Sequence, residues 1–207
     1  MNQQNGQQNG FYTKELLKNL NGALNKGQLS VQCAPQTTRP GALCPAAVLV
    51  PIVTRLDAPH ILLTRRADDH PHHAGQISFP GGKIAPEDQD VEAAALRETY
   101  EETGVEARHI EVLGHLDAHS TGTGFTIYPV VGLVKPAFRL EPCTREVAEI
   151  FEIPLSFLMT ETNYRIEKIN WRGRDREFFV IDYGSYRIWG ATAAILKMLQ
   201  ERLYRLK

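Results

Sequence analysis

The chain has 207 residues, of which 43% are hydrophobic and 23% charged, a composition typical of a soluble globular domain rather than a disordered chain. Its 23 basic and 24 acidic residues nearly cancel, which argues against a nucleic-acid binder that works by neutralising phosphates. No apolar run approaches the roughly 20 residues that span a bilayer, and the Asn- and Gln-rich start lacks the features of a signal peptide. Three widely spaced cysteines, Cys33, Cys44 and Cys143, indicate a reduced cytoplasmic protein.

The predicted elements begin with a polar segment, residues 1–10, that we expect to be disordered, followed by a short helix and a linker within 11–40. The first strand signal, at 46–53, contains Pro51, which indicates an edge position or a bulge. Further along, the patterns predict strands at 61–64 and 76–79, a helix at 90–103 ended by Gly104, strands at 110–116 and 127–134, a helix or strand pair at 146–158, a hairpin of strands 165–171 and 177–181, and a C-terminal helix at 188–206. Mixed strands and helices of this kind predict a single layered α/β domain.

Three glutamates, Glu98, Glu101 and Glu102, crowd the last turns of the predicted helix at 90–103. At about 100° per residue they share one face of the helix. Glu98 and Glu102 repel each other at i,i+4, and each acid near a helix C-terminus costs roughly 0.3–1 kcal/mol. A bound divalent cation would reverse these costs, and hard oxygen ligands favour Mg²⁺ or Mn²⁺. The alternative interpretation is a solvated acidic surface.

The same helix carries small residues beside the acids, which leave the carboxylates room. The opposite face is expected to pack on a core through Ala93, Leu96 and Tyr100.

The residues Gly82, Asp88 and Arg97-Glu98-x-x-Glu101-Glu102-x-Gly104 resemble the Nudix box, the signature of hydrolases that act on a nucleoside diphosphate linked to another group. The usual box has seven residues between its first acid and the Arg-Glu pair. Here eight residues separate Asp88 from Arg97, and Asp stands in place of the usual Glu, so the motif assigns no role to Asp88.

Further segments resemble the coenzyme A pyrophosphatase branch of this family, and they lie at 62–67, 73–82, 129–132, 146–151 and 189–193. Pro71 stands where that branch usually has Arg. The resemblance covers about residues 45–200. It implies a Nudix-type α/β/α sandwich around a mixed β-sheet, as a single domain over 41–200 whose C-terminal helix runs to about residue 206.

The resemblance also implies a metal site. Glu98 and Glu102 would be the principal ligands of Mg²⁺ or Mn²⁺, with Glu101 and the backbone carbonyl of Gly82 completing the set. Arg97 would hold the glutamates in place by salt bridges. The metal would neutralise the diphosphate and lower the pKa of the attacking water. The base that takes the proton from this water is left open between Glu98, our first choice, and the two alternatives Glu146 and Glu149.

Substrate contacts are expected from a phosphate-binding Arg66, from His73 and Gln76 in the segment before the box, and from Lys83. Each of these residues also has an ordinary structural interpretation as a solvated or loop-closing side chain. The histidines at 70, 72 and 73 lack helical spacing and are not expected to bind a metal.

The expected function is metal-dependent cleavage of coenzyme A, or of a coenzyme A derivative, to 3′,5′-ADP and a 4′-phosphopantetheine species. Two alternatives remain open. One is the same chemistry on ADP-ribose, a dinucleotide or a noncanonical nucleoside triphosphate, and the other is a non-catalytic nucleotide sensor. The expected partner is a small-molecule nucleotide, with neither nucleic acid nor membrane, and a homodimer is left open.

Overall fold

The computed structural model describes residues 18–20, 22–27, 43–68, 74–135, 138–171 and 173–204. Residues 18–20 and 22–23 are helical, inside the predicted N-terminal helix, and Leu20 and Leu24 are buried in the core as its spacing predicts. The predicted tail at 1–10 and the linker after residue 27 lie outside the described residues, as does the predicted substrate contact His73.

The main sheet is mixed and contains eight strands: β1 Cys44–Thr54, β2 Pro59–Arg66, β3 Ile77–Ser78, β4 Gly81–Lys83, β5 Ile110–His115, β6 His119–Ser120, β7 Phe125–Val134 and β8 Val147–Pro154. The central order is β3-β2-β1-β7-β5, with β4 paired to β1, β6 to β7 and β8 to β2. Strands β1 and β7 run parallel from the Cys44–Phe125 pair to the Val53–Val134 pair, and the other pairs are antiparallel.

The helices are α1 Val91–Thr103, the single turn α2 Leu155–Leu158 and α3 Gly190–Tyr204, with short 3₁₀ turns at Ala107–His109 and Glu161–Asn163. A second, three-stranded sheet has the order β11-β10-β9 and consists of β9 Arg165–Trp171, β10 Arg174–Tyr183 and β11 Tyr186–Trp189. Within the described residues, no helix is both long enough and apolar enough to cross a membrane.

The two faces of the main sheet are covered by different elements. Ala47 and Leu49 of β1 pack on one face against Val91 and Ala94 of α1. The other face of the sheet packs against α3 and the second sheet in the larger core cluster. Because successive strand residues point to opposite faces, the alternation within β1 specifies both layers. The predicted α/β fold around a mixed sheet is thus confirmed.

Helix α1 lies on the sheet in the orientation opposite to the one predicted. Its buried residues include Ala94, Ala95 and Glu102. Tyr100, predicted to face a core, is 56% exposed, and Leu96 and Ala93 are only partly buried. Alanines let the helix approach the sheet closely, so the acid-bearing face is the one turned inward.

Five further details differ from the sequence-based prediction. Pro51 is in the central strand β1, between the residues that pair with β4 and those that pair with β2, not at an edge. The glycines at 81 and 82, for which no strand was predicted, form the start of strand β4. The segment 146–158 is one strand followed by a helical turn, and the C-terminal helix begins at Gly190 because the preceding residues form β11. In the predicted hairpin, β10 already begins at Arg174, so that only residues 172 and 173 lie between its strands.

Candidate active site

The ends of α1 are set by two local caps. The Asp90 side chain accepts a hydrogen bond from the Ala93 N–H at 2.7 Å, which satisfies one of the free donors at the helix start. Gly104, with φ of 76°, adopts the left-handed conformation and donates its N–H to the Tyr100 carbonyl. These caps define the register in which the glutamates face the sheet.

Glu98 lies directly against strand β4. A Cβ atom added to Gly82 would lie 2.4 Å from the Glu98 carboxyl carbon, so any larger residue at position 82 would displace this carboxylate. Burial raises the pKa of Glu98, and the nearby charges of Glu101 and Glu146 act in the same direction, whereas Arg97 lowers it. The absence of a side chain at Gly82 therefore allows the Glu98 carboxylate to pack directly against β4.

Glu102 is the most buried acid of the site, at 6% exposure. The Gly81 N–H donates a hydrogen bond to its carboxylate, but Oε2 has no hydrogen-bond partner among the described residues. Burial raises the pKa of Glu102 to about 8, against the opposing charge of Arg66 and with the added repulsion of Glu98 and Glu146. A buried carboxylate oxygen with no donor is a position that a cation would stabilise.

Arg97 connects the acidic side chains with the loop before the helix. Its Nε and Nη2 atoms both bond to the Asp88 carboxylate at 2.9 Å. Nη1 contacts Glu98 at 3.0 Å and Glu101 at 3.2 Å, and Nη2 also donates to the Lys83 carbonyl at 3.2 Å. The hydrogen bonds to Asp88 raise the pKa of Arg97, so its guanidinium stays charged. The predicted salt bridges to the glutamates are present.

Asp88, to which the motif assigned no role, is the main partner of Arg97. Its side chain is 4% exposed and accepts a further hydrogen bond from the Ala85 N–H at 2.7 Å. The hydrogen bonds from Arg97 lower the pKa of Asp88. Because Asp90 caps the helix, Asp88 and the exposed Gln89 lie ahead of α1.

The backbone of β4 presents different groups on its two sides. Leu49 donates its N–H to the Pro80 carbonyl at 2.9 Å, and hydrogen-bonded pairs alternate along an antiparallel ladder. The next hydrogen-bonded pair is therefore Ala47 with Gly82, which directs the Gly82 carbonyl toward β1.

The neighbouring backbone groups of β4 point away from β1. The Gly81 N–H reaches Glu102, and the Lys83 carbonyl reaches Arg97. The Gly81 carbonyl lies on this same side of the strand, because the N–H and C=O groups of one strand residue point in the same direction. The register thus favours the Gly81 carbonyl over the predicted Gly82 carbonyl as the oxygen next to the acids.

The predicted substrate-binding residues differ in how close they lie to the acids. The charge of Arg66 opposes the raised pKa of Glu102, so Arg66 lies near the acids. The Arg66 backbone N–H bonds to the Gln76 carbonyl at 3.0 Å. The Lys83 side chain is exposed at the end of β4. Pro71, the departure from the branch pattern, lies outside the described residues together with His73.

The two alternative bases lie in different surroundings. Glu149 accepts hydrogen bonds from Tyr186 at 2.5 Å and from Arg65 at 3.4 Å. The next residue, Ile150, packs on the α1 side of the sheet, so alternation turns Glu149 to the opposite side. Glu146, by contrast, is exposed and raises the pKa values of both Glu98 and Glu102.

The predicted three-carboxylate metal set is not assembled. In the described part of the chain, no three acidic, histidine or cysteine side chains are grouped so as to hold a metal ion. Glu101 is exposed, and its carboxylate bonds to Arg97 instead. The buried carboxylate of Glu102, the partly buried carboxylate of Glu98 and a backbone oxygen remain. This donor set suits Mg²⁺, since this ion often uses one or two carboxylates together with water and substrate phosphate.

Comparison with known proteins agrees with this arrangement. Residues 45–172 match the model of the NUDIX domain family. The uncharacterized Nudix hydrolase NudL of Photorhabdus laumondii is 38% identical over 158 residues, which cover 76% of this chain and 84% of that protein. The corresponding NudL of Enterobacter sp. strain 638 is 40% identical over 154 residues, covering 74% of this chain and 80% of that protein.

Among solved structures, the NUDIX domain of Shewanella oneidensis NrtR, determined in complex with ADP ribose, has a TM-score of 0.52 and 18% identity. The match covers 82% of this chain and 93% of that one, and at this identity it shows a shared fold. The family model, the NudL relatives and the glutamate helix packed on β4 lead to one conclusion: this chain belongs to the Nudix hydrolase family and is of the NudL type.

Proposed function

We propose that this Nudix hydrolase is a metal-dependent pyrophosphohydrolase whose substrate is coenzyme A or a coenzyme A derivative. The observation that carries the metal-dependent chemistry is the buried, partly unbonded carboxylate of Glu102, with its pKa raised to about 8. Nudix hydrolases in general use divalent metals such as Mg²⁺ or Mn²⁺. In this chain Glu98, Glu102 and the Gly81 carbonyl would hold the ion, and Glu101 would join them by leaving Arg97.

When bound, the metal would neutralise the diphosphate, polarise the phosphoryl oxygen and lower the pKa of an attacking water. The protein residues then have distinct tasks. Arg97 keeps Glu98 beside β4. Its bidentate bond to Asp88 holds the guanidinium in place if Glu98 or Glu101 moves. Arg66, next to Glu102, provides a guanidinium for a phosphate oxygen of the substrate.

The proton of the attacking water passes to a carboxylate at this site. Glu98 remains our first choice, because burial raises its pKa and so makes its carboxylate a stronger base. Glu146 is the favoured alternative, because its charge acts on both buried glutamates. Glu149 is disfavoured, since it bonds to Tyr186 on the other side of the sheet.

A comparison of Glu146→Gln with Glu149→Gln tests the two alternatives to Glu98. If Glu146 takes the proton, its variant loses about 100-fold or more in kcat and the acidic limb of its pH–rate profile. Glu149→Gln, the matched control, keeps that limb. The reverse pattern would assign the base to the other side of the sheet and contradict the geometry above.

The choice of coenzyme A rests on the resemblance of the segments at 62–67 and 73–82 to that branch, since the fold alone does not specify a substrate. The decisive experiment is a panel of coenzyme A, acetyl-coenzyme A, ADP-ribose, a dinucleotide and a noncanonical nucleoside triphosphate, each with Mg²⁺ and with Mn²⁺. We expect the highest kcat/KM for a coenzyme A compound, with 3′,5′-ADP as one product. A higher kcat/KM for any other substrate would refute the proposed specificity for coenzyme A, although pyrophosphohydrolase activity would still be supported.

The same substrate panel tests whether the chain is instead a non-catalytic nucleotide sensor. Hydrolysis that exceeds the background rate and disappears in Glu102→Gln would show that the site is catalytic. Binding of a nucleotide without turnover, with either metal, would instead show a non-catalytic domain. We expect the enzyme to act in the cytoplasm on small-molecule nucleotides.

A further inference from the structure

The pairing of β2 with β8 is irregular at the end of these strands that lies next to the candidate active site. Arg65 pairs with Glu149, but the next residue, Arg66, pairs with Val147. Ala148 is therefore the extra residue of a β-bulge, and it is exposed. A bulge leaves its extra residue unpaired, bends the strand and changes the direction of nearby side chains. The ladder by itself thus does not fix the backbone at this end of the strands.

The bulge changes which residue lies opposite the chain as it leaves β2. In an unbroken ladder Ala67 would face Val147, whereas its N–H donates to the Glu146 carbonyl at 3.0 Å. The extra residue moves Glu146 one position toward Ala67, which is about 3.3 Å along a strand. The charge of Glu146 raises the pKa values of Glu98 and Glu102. The bulge therefore affects a side chain of the candidate active site as well as the sheet.

Four polar side chains are linked to one another beside the bulge. Glu149 accepts hydrogen bonds from the Tyr186 hydroxyl at 2.5 Å and from Arg65 Nε at 3.4 Å. Nη1 of the same arginine bonds at 2.7 Å to Asp68, which comes two residues after Arg66. We call these four side chains the bulge cluster: Tyr186, Glu149, Arg65 and Asp68. The cluster connects the two residues at which the pairing shifts with the chain on the far side of Arg66.

The contacts of the bulge cluster differ in strength. The side chains of Arg65, Glu149 and Asp68 are 30%, 41% and 78% exposed, so their ion pairs contribute little. The Tyr186 hydroxyl donates to a carboxylate at a short distance, which is a stronger kind of hydrogen bond. This bond raises the pKa of Tyr186, so the hydroxyl stays protonated and remains the donor. Tyr186 is therefore the member of the cluster whose loss should matter most.

The ring of Tyr186 is held in place by an aromatic neighbour. It stacks on Phe151 with centroids 3.8 Å apart and an angle of 6° between the rings. Phe151 comes two residues after Glu149 on β8 and therefore lies on the same face of the main sheet. Tyr186 begins β11, so the second sheet supplies the hydroxyl that reaches the bulge of the main sheet.

We propose that Tyr186 is a positioning residue of the candidate active site. Through Glu149 it holds the bulge, and the bulge in turn holds Arg66 and Glu146 beside the acids. This inference rests on the proposed function, because it takes these two side chains to act on the substrate. The effect crosses the sheet because successive residues of a strand point to opposite faces and share one backbone. Glu149, which is disfavoured as the base, thereby has a role that its bond to Tyr186 explains.

Amide hydrogen exchange, followed by NMR, tests the proposal without any substrate. Tyr186→Phe removes the hydroxyl and keeps the stacked ring. We expect the Ala67 amide, which donates to the Glu146 carbonyl, to exchange about tenfold faster in this variant than in wild type. Unchanged exchange at Ala67 would overturn the proposal, whether or not the enzyme hydrolyses coenzyme A.

Tyr183→Phe is the matched control for this experiment. Tyr183 pairs with Tyr186 in the same hairpin, and none of the described residues hydrogen-bonds to its hydroxyl. We expect wild-type exchange at Ala67 in this variant. Equal acceleration in the two variants would show that any lost tyrosine hydroxyl loosens this region, and it would also overturn the proposal.

Kinetics on the best substrate of the panel test whether Tyr186 acts through the two side chains. Tyr186→Phe alone should lower kcat/KM about fivefold. In an Arg66→Ala or a Glu146→Gln background it should cost only about twofold, because one of the side chains that it positions is already gone. A merely structural role predicts an equal loss in wild type and in both backgrounds, and that result would contradict the proposal.

Discussion

Replacement of Glu102 by Gln should change how the stability of the protein depends on pH. The pKa of Glu102 is raised from 4.5 to about 8 in the folded protein, so the native state binds a proton more tightly than the unfolded chain. The stabilisation is therefore complete below pH 4.5 and is lost as the pH rises through about 8. Between pH 5 and pH 8 this loss amounts to about 3 kcal/mol in the free energy of unfolding.

The assay is denaturant unfolding at pH 5, 6, 7 and 8 in the presence of EDTA. Relative to wild type, Glu102→Gln should lack this decrease of about 3 kcal/mol, although its buried amide lowers the absolute stability somewhat. Glu101→Gln removes the same charge from the exposed side of α1 and is the matched control, with the pH profile of wild type. Parallel profiles for wild type and Glu102→Gln would refute the assignment of a buried, strained carboxylate.

Three further outcomes follow from the site geometry. Gly82→Ala should reduce kcat by about 100-fold or more with a modest loss of stability, measured by turnover and thermal unfolding, because the added Cβ displaces Glu98. Asp88→Asn should lower the free energy of unfolding by about 1–3 kcal/mol and reduce activity, because Arg97 loses a charged bidentate partner. Mg²⁺ should raise the melting temperature more at pH 8 than at pH 5, measured calorimetrically with and without EDTA, because protons compete for the buried carboxylates.

Each of these outcomes has a matched comparison. Gly124→Ala, at a glycine with open space around it, reports the backbone strain of a substitution that touches no site residue. Glu87→Gln removes an exposed acid from the same loop as Asp88 and should change neither stability nor activity appreciably. If Mg²⁺ raised the melting temperature equally in wild type and in Glu102→Gln, Glu102 would not be a metal ligand.

Much of the fold was predictable because its signals are local. Asp90 and Gly104 are capping residues by their chemistry, and they are the boundaries of α1 in the structure. The apolar runs of β1 and β7 similarly predicted buried strands. The C-terminal helix was predicted to begin at Ile188, but the pairing of β11 with β10 makes this residue part of a strand.

The orientation of α1 could not be read from hydropathy. Hydropathy assigns glutamates to solvent and Tyr100 to a core, whereas the structure buries Glu102 and exposes the tyrosine. The proposed cation site accounts for this orientation, because such a site would hold its acids next to the sheet, against the preference of each acid for water. The resemblance to the Nudix box singles these acids out as a group, and the direction in which each of them faces depends on its contacts with other elements, such as that of Glu102 with β4.

The sequence pattern also could not predict which backbone carbonyl lies next to the acids. Two adjacent glycines permit a turn or a strand equally well, and only the pairing of β4 with β1 shows which carbonyl points toward α1. The bond between Asp88 and Arg97 spans nine positions in sequence, and its geometry depends on the loop that returns the chain to the helix. Such features depend on the register between elements, which a residue pattern does not contain.

The position of Gln89, exposed and ahead of the first helical turn, bears on how such enzymes diversify. An insertion or deletion there changes the length of the connection between Asp88 and Asp90 and does not rotate the carboxylates of α1 about the helix axis. Natural variants, and engineered ones, can therefore change the length of this connection and retain a working set of acids. A pattern search that demands one rigid interval would overlook them.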